Sequence, residues 1–373
     1  MDTVANAGAL LRIYRLKKNW SLETLCSEIC TASYLSKIEQ GKVQPNQALL
    51  KDLFSKMEVP WQTFPMEEGK ELCEEIYELV FSDDEQAIQK CLKSGQLNHE
   101  PAELGASFLD YLVLTAYCRR EPETLPKQMR PLLDARQSAL MHLAEGSTWE
   151  AVRLYPCALT CLYAGAGAYA DGKYTSALEY LGRSYDLAAQ SGYARIMMNC
   201  QVFISNCYSD LGSMDDMLRH CRIADRLARS LGETEILRSL EYNIAATRME
   251  KGDYSSSYSY FSRIANPTVM DLHKLAICCE MLEKRQEAFA AVNAAEQAAE
   301  GLEREMCALV RYRLEHPEYL QDTAYGKMLM DTFLALKQQR SLGYARFHLY
   351  WVEQWCCANR QYRMVYEIIK DFL

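Results

Sequence analysis

Residues 163–178 (YAGAGAYADGKYTSAL), 203–218 (FISNCYSDLGSMDDML) and 243–258 (NIAATRMEKGDYSSSY) are three copies of one pattern. Gly172, Gly212 and Gly252 recur at an interval of 40 residues, as do Tyr174, Met214 and Tyr254. Gly192 and Gly232 keep that interval half a period later. A small residue (Gly165, Ser205 or Ala245) stands seven positions before each glycine of the first series. Helical apolar patterns of ~18 residues flank each glycine. Self-similarity at this period marks helical hairpins that stack because one hairpin cannot bury its apolar face alone. Glycine ends a helix in the left-handed conformation, and the small residue lets the partner helix come close. An all-α solenoid is therefore expected at the centre of the chain.

The array continues with wear. Glu283–Ala288 matches Gly172–Ala177 after a copy cut short by Asn266-Pro267, and Asn359–Tyr362 repeats the same turn near the C-terminus. From Lys70 onward helical patterns follow one another, broken at Ser82-Asp83, Gly95-Gln96, Glu121-Pro122, Gly146-Ser147, Gly301 and His316-Pro317. No stretch alternates with a strand period. Pro60-Trp61-Gln62-Thr63-Phe64-Pro65 breaks the pattern upstream and marks a domain boundary. Residues 1–65 then form one domain and 70–373 the repeat domain, with a linker at about 60–69. Two aromatics in that linker predict a segment that packs rather than a free tether.

The 373 residues are 49% hydrophobic and 24% charged, a composition that can bury a core. There is no 18-residue apolar run and no secretory signal, so a cytoplasmic protein without membrane contact is expected. The 15 cysteines are odd in number, scattered and mostly on apolar helical positions such as Cys200, Cys207 and Cys221. They read as small hydrophobes of a reduced protein. The six histidines are isolated, so no metal site is expected. Gly167–Tyr174 falls one residue short of a phosphate-binding loop, with Tyr174 where a Mg²⁺-binding hydroxyl is needed and no strand before it. No nucleophile–base constellation stands out; no enzyme and no cofactor are expected. Residues 1–65 carry eight Lys/Arg against six Asp/Glu, a net of +2, which leaves −11 for the rest of a chain whose total is −9. A mildly basic head on an acidic body fits a head that meets a polyanion.

Within that head, Leu10, Leu11, Ile13, Tyr14 and Leu16 predict a first amphipathic helix. Ser21 caps a second over Leu22–Ile29, and Cys30-Thr31-Ala32 turns into a third over Ser33–Gln40. Gly41 closes it, and a fourth runs over Gln47–Met57. Two short helices joined by a tight turn describe a helix-turn-helix. The run Ser21–Leu25, then Ser33-Tyr-Leu-Ser-Lys-Ile-Glu39-Gln-Gly41, then Pro45 and Leu49-Leu50 resembles the phage-repressor-like helix-turn-helix family. That resemblance implies that Arg15 of the first helix pairs with Glu39 as a structural ion pair. It implies Ala32, Ser33 and Lys37 at base edges, where Lys37 reaches guanine, Ser33 either base type and Ala32 a thymine methyl. It places Ser21, Thr31, Tyr34 and Lys42 at phosphates. Many relatives carry Gln at the first recognition positions; Ala32-Ser33 departs from this.

The array looks like tetratricopeptide repeats lengthened from the usual length of about 34 residues, with a HEAT-like array as the alternative. The resemblance implies a right-handed superhelix whose first helices line a groove. In the second copy Asn199, Val202, Asn206 and Ser209-Asp210 share a helical face, with Tyr242 in the next copy's row and Tyr169 in the previous one. Asn is a poor helix-interior residue, and its carboxamide can both donate to and accept from an extended peptide. Those seven residues are the expected peptide site. Head and array together resemble the peptide-pheromone regulators of Gram-positive bacteria, the PlcR, Rgg and NprR group. This implies a homodimer on a pseudo-palindromic double-stranded operator, with a short signalling peptide changing its DNA binding. The other reading is a repeat scaffold that binds or inhibits a protein partner, its head used for docking or dimerisation.

Overall fold

The computed structural model describes residues 6–340 and 342–370. The outer ends of the two segments read from the sequence, 1–5 and 371–373, lie outside the described residues. Among the described residues every regular element is helical and there is no strand. Compactness divides the chain into one unit of residues 1–167 with 175–201 and a second of 168–174 with 202–373.

The first unit opens with α1 (Ala7–Lys17), α2 (Leu22–Cys26), α3 (Ala32–Glu39) and α4 (Gln47–Lys56). Leu11, Leu25, Leu35, Ile38, Leu50 and Phe54 are fully buried and form their common core. α1 crosses α3 so closely that a Cβ on Gly8 would lie 2.0 Å from the Ile38 carbonyl oxygen, which only glycine permits. α2 stops short of the expected Ile29 because the chain turns left-handed at Glu28 (φ 66°). α3 starts one residue early, since Thr31 Oγ1 accepts from the Tyr34 N–H at 3.2 Å and caps it.

Past α4 the linker is held down. Trp61 stacks on Phe54 with ring centroids 4.7 Å apart, and the Gln62 and Phe64 N–H groups donate to the Ala102 and Glu103 carbonyls at 3.1 Å each. Tyr14 Oη donates to Glu100 Oε2 at 2.7 Å. Helix resumes at α5 (Met66–Phe81), before the expected Lys70, with Glu67 and Glu68 in a first turn whose dipole favours them. The unit continues through α6 (Glu85–Ser94), α7 (Phe108–Cys118), α8 (Ala135–Ala144), α9 (Thr148–Leu154), α10 (Ala158–Ala170), α11 (Tyr174–Ser191) and the start of α12 (Ala194–Asp210).

The second unit carries α13 (Met214–Leu231), α14 (Thr234–Glu250), α15 (Tyr254–Phe261), α16 (Val269–Met281), α17 (Arg285–Ala298), α18 (Gly301–Glu315), α19 (Thr323–Gln339), α20 (Leu342–Ala358) and α21 (Tyr362–Ile369). From α13 each packs on its successor. The repeated glycines are left-handed: φ is 73° at Gly172, 75° at Gly212, 82° at Gly252, 77° at Gly192 and 73° at Gly232. The small residues also do what their spacing suggests. A Cβ on Gly165 would meet Leu181 Cγ at 2.7 Å, and Ser257 donates to the Ala245 carbonyl at 2.8 Å. α15 is only eight residues long and ends at Phe261; Asn266-Pro267 lies in the break that follows, and Thr268 then caps α16 with Asp271. All 15 cysteines are free thiols.

Candidate functional site

Two places carry clustered polar chemistry. The first is the outer face of the head. Ser21, Thr31, Ser33, Lys37 and Lys42 are exposed, and Ala32 and Tyr34 are half-buried beside them. Ser21 and Thr31 are both N-caps: each oxygen accepts from a backbone N–H (Thr24 at 3.1 Å, Tyr34 at 3.2 Å); the Ser21 hydroxyl also pairs with the Thr24 hydroxyl at 3.0 Å, while the Thr31 hydroxyl hydrogen is left to donate outward. The N-terminus of α3 thereby presents a hydroxyl donor and the positive end of a dipole, chemistry that suits a phosphate. Arg15 holds the face in register from below. Its Nε donates to Glu39 Oε1 at 2.6 Å, Nη2 to Glu39 Oε2 at 2.7 Å, and Nη1 to the Trp20 carbonyl at 2.7 Å. Arg15 and Glu39 are each only 8% exposed, so this bidentate pair ties α1 to the end of α3 inside the core.

The second place is a recess of about 230 Å³ in the second unit, walled by α12, α14, α16 and α20. Asn243 Nδ2 donates to Asn206 Oδ1 at 3.0 Å, and the Ser209 and Thr247 hydroxyls pair at 2.8 Å. Thr247 also bonds the Asn243 carbonyl at 2.8 Å. The side-chain Nδ2 of Asn206 and Oδ1 of Asn243 are left over by this pairing. Burial raises the Asp210 carboxyl above its ordinary range, against hydrogen bonds from Tyr174 and Tyr169 that pull it back. On the opposite wall Lys274 is 5% exposed, with its Nζ over the face of the Phe347 ring. Burial pushes its ammonium down to about 7, while the charge of Glu250 pulls the other way. His348, bonded through Nδ1 to the Tyr344 carbonyl at 2.9 Å, is pushed by burial down to about 3 and is neutral.

The recess gathers Tyr169, Asn206, Ser209, Asp210 and Tyr242 of the seven residues expected there. Asn199 and Val202 do not line it. Asn199 lies two turns earlier on α12 and donates to Asp83 Oδ2 at 3.0 Å, while Val202 packs on the Met217–Cys221–Leu240 cluster. Sequence reasoning missed Asn243 and Thr247, and also Lys274, Phe347 and His348. A lysine or histidine inside an apolar helical run, as in residues 269–281 and 342–358, was the available signal, because such groups are buried only at a cost. Among the described residues no cluster suited to a metal ion is present, and no helix is long and apolar enough to cross a membrane.

Residues 11–64 match the helix-turn-helix family model. No curated protein matches the sequence significantly. A solved Rap protein, complexed with competence and sporulation factor, is similar over 83% of this chain and 99% of its own, at 17% identity and a TM-score of 0.62. The apo form of the quorum sensor NprR from B. thuringiensis is similar over 81% of this chain and 99% of its own, at 15% identity and a TM-score of 0.43. PlcR from Bacillus thuringiensis, in complex with the peptide PapR7 and DNA, is similar over 63% of this chain and 98% of its own, at 15% identity and a TM-score of 0.34. The chain thus joins a helix-turn-helix domain to an all-α helical-repeat body that shares its fold with the Rap protein.

Proposed function

We propose that this chain is a cytoplasmic, DNA-binding transcriptional regulator whose repeat body holds a short signalling peptide in the recess between α12, α14, α16 and α20. One observation carries the reading: the Asn206–Asn243 pair sits on the recess wall with one amide donor and one carbonyl acceptor to spare. That is the complement of one peptide unit of an extended backbone, which it can hold without fixing side chains. In this reading residues 1–65 read DNA and residues 70–373 bind peptide and dimerise. Lys37, Ser33 and Ala32 meet base edges, while Ser21, Thr31, Tyr34 and Lys42 meet phosphates. A homodimer places two heads on half-sites about 34 Å apart along a pseudo-palindrome. The fold is one on which the Rap protein is complexed with competence and sporulation factor, which supports a peptide-holding body. The peptide acts by preferring one state of the body over another, and only to the extent of that preference.

A random-sequence DNA selection with the full chain tests this. The expected result is a dyad motif with steep salt dependence, lost in Lys37→Ala. Failure to enrich any sequence at low salt, with one stoichiometric protein recovered in a pull-down, would instead favour a scaffold whose head only docks.

A further inference from the structure

Among the buried ionic groups of the second unit, Lys274 stands apart. Arg313, equally buried, is held bidentately by Glu280 at 2.7 Å through both Nε and Nη2. Asp210 has its two tyrosines, and His348 is neutral and bonded to its own helix. Lys274 is nine-tenths buried and lines the recess, where Glu250 is the carboxyl whose charge it feels, yet among the described residues its Nζ makes no hydrogen bond and no ion pair within 4.0 Å. It rests on the Phe347 ring face. A buried ammonium normally sits against a carboxylate or carbonyl, because leaving it bare costs several kcal/mol of lost solvation.

We infer that Lys274 is the anchor for a carboxylate of the bound ligand, either the C-terminal carboxylate of a peptide or an acidic side chain. The inference rests on the peptide reading above and names the group that must occupy one end of the recess. The ring of Phe347 shields that end from water, so a carboxylate arriving there replaces a cation–π contact with a charge-assisted hydrogen bond in a poorly solvated site. Its depressed ammonium fits: an arriving anion restores the lost stabilisation and draws the proton back on.

Three pools of random heptapeptides are presented to the full chain and the retained fraction is measured: free C-terminus without Asp or Glu, amidated without Asp or Glu, and amidated with both acids. A C-terminal anchor retains the first pool over the second by roughly ten- to hundredfold, and a side-chain anchor retains the third over the second by the same factor. Lys274→Met should abolish the preference. Equal retention of all three pools by the unaltered chain overturns the anchor while leaving the peptide reading intact. Hexanoate against hexanamide, observed at the Lys274 side-chain resonance of lysine-¹³C-labelled protein, separates the two claims. A shift with hexanoate alone supports the anchor even if no pool is retained, in which case the peptide reading falls; no shift with hexanoate overturns the anchor.

Discussion

Removing one partner of the Arg15–Glu39 pair should unfold the head before anything else. In Glu39→Ala the guanidinium loses both carboxylate oxygens, at 2.6 and 2.7 Å, and keeps only the Trp20 carbonyl at 2.7 Å. With Arg15 8% exposed, water cannot replace what is lost. Breaking a buried pair in this way costs about 3–5 kcal/mol. That approaches the whole stability expected of a ~60-residue core. Replacing both partners by apolar residues, Arg15→Met with Glu39→Met, removes the charges together and should cost far less, within about 1–2 kcal/mol of the parent chain. Hydrogen exchange resolved by peptide reads the effect where it occurs. Amides of α1, α3 and α4 should exchange about 10²- to 10⁴-fold faster in Glu39→Ala, at about 1.4 kcal/mol per decade. Amides of α16 and α17 should not change. If the single substitution leaves head protection within threefold of the parent, or the double change is worse than the single, the pair does not hold the head together.

Lys42→Ala, at a position read as a phosphate contact, should weaken binding to all DNA sequences alike and reduce the salt slope by about one. Lys37→Ala should instead flatten preference at one base position by about 1–3 kcal/mol; both are read by anisotropy titration over a salt series. Burial raises Asp83 to about 6 from its ordinary 3.8, so between those values the folded chain holds the proton more tightly than the unfolded one. Stability should therefore fall as pH rises from about 4 to 6 and level off above; Asp83→Asn should lack that slope, and identical melting profiles for the two chains across this window would contradict it. At Gly326 an added Cβ would sit 1.9 Å from Trp355 Cζ2, so Gly326→Ala must push the indole away from its 3.1 Å bond to the Asp322 carbonyl, at a cost of about 1–3 kcal/mol visible in a thermal melt.

What was legible in the sequence was local. A glycine every 40 residues fixes where the chain turns, because left-handed φ is a property of that residue and not of its neighbours. Helical spacing along α12 likewise put Asn206, Ser209 and Asp210 together. The partners of those groups obey a different count. Asn243 lies 37 residues after Asn206 and Thr247 lies 38 after Ser209, so a strict 40-residue register points to Ala246 and Met249 and passes over them. Asn199 satisfied the same spacing rule yet spends its carboxamide on Asp83, 116 residues earlier, a pairing no local pattern encodes. Lys274 and His348 were hidden for the same reason. Their meaning comes from the wall opposite, which is set by tertiary packing of α16 and α20. The short α2 was missed because a left-handed Glu28 carries no glycine to announce it.

In the proposed function, occupancy of the recess and operator binding by the head are thermodynamically linked. DNA affinity of the full chain is measured at fixed salt, with and without saturating amounts of a peptide it retains, in the parent chain and in Asn206→Ala with Asn243→Ala. A change of about 5- to 150-fold is expected in the parent, with the same factor appearing in peptide affinity when DNA is added, and its loss in the double variant. Identical DNA affinity at saturating peptide would contradict it.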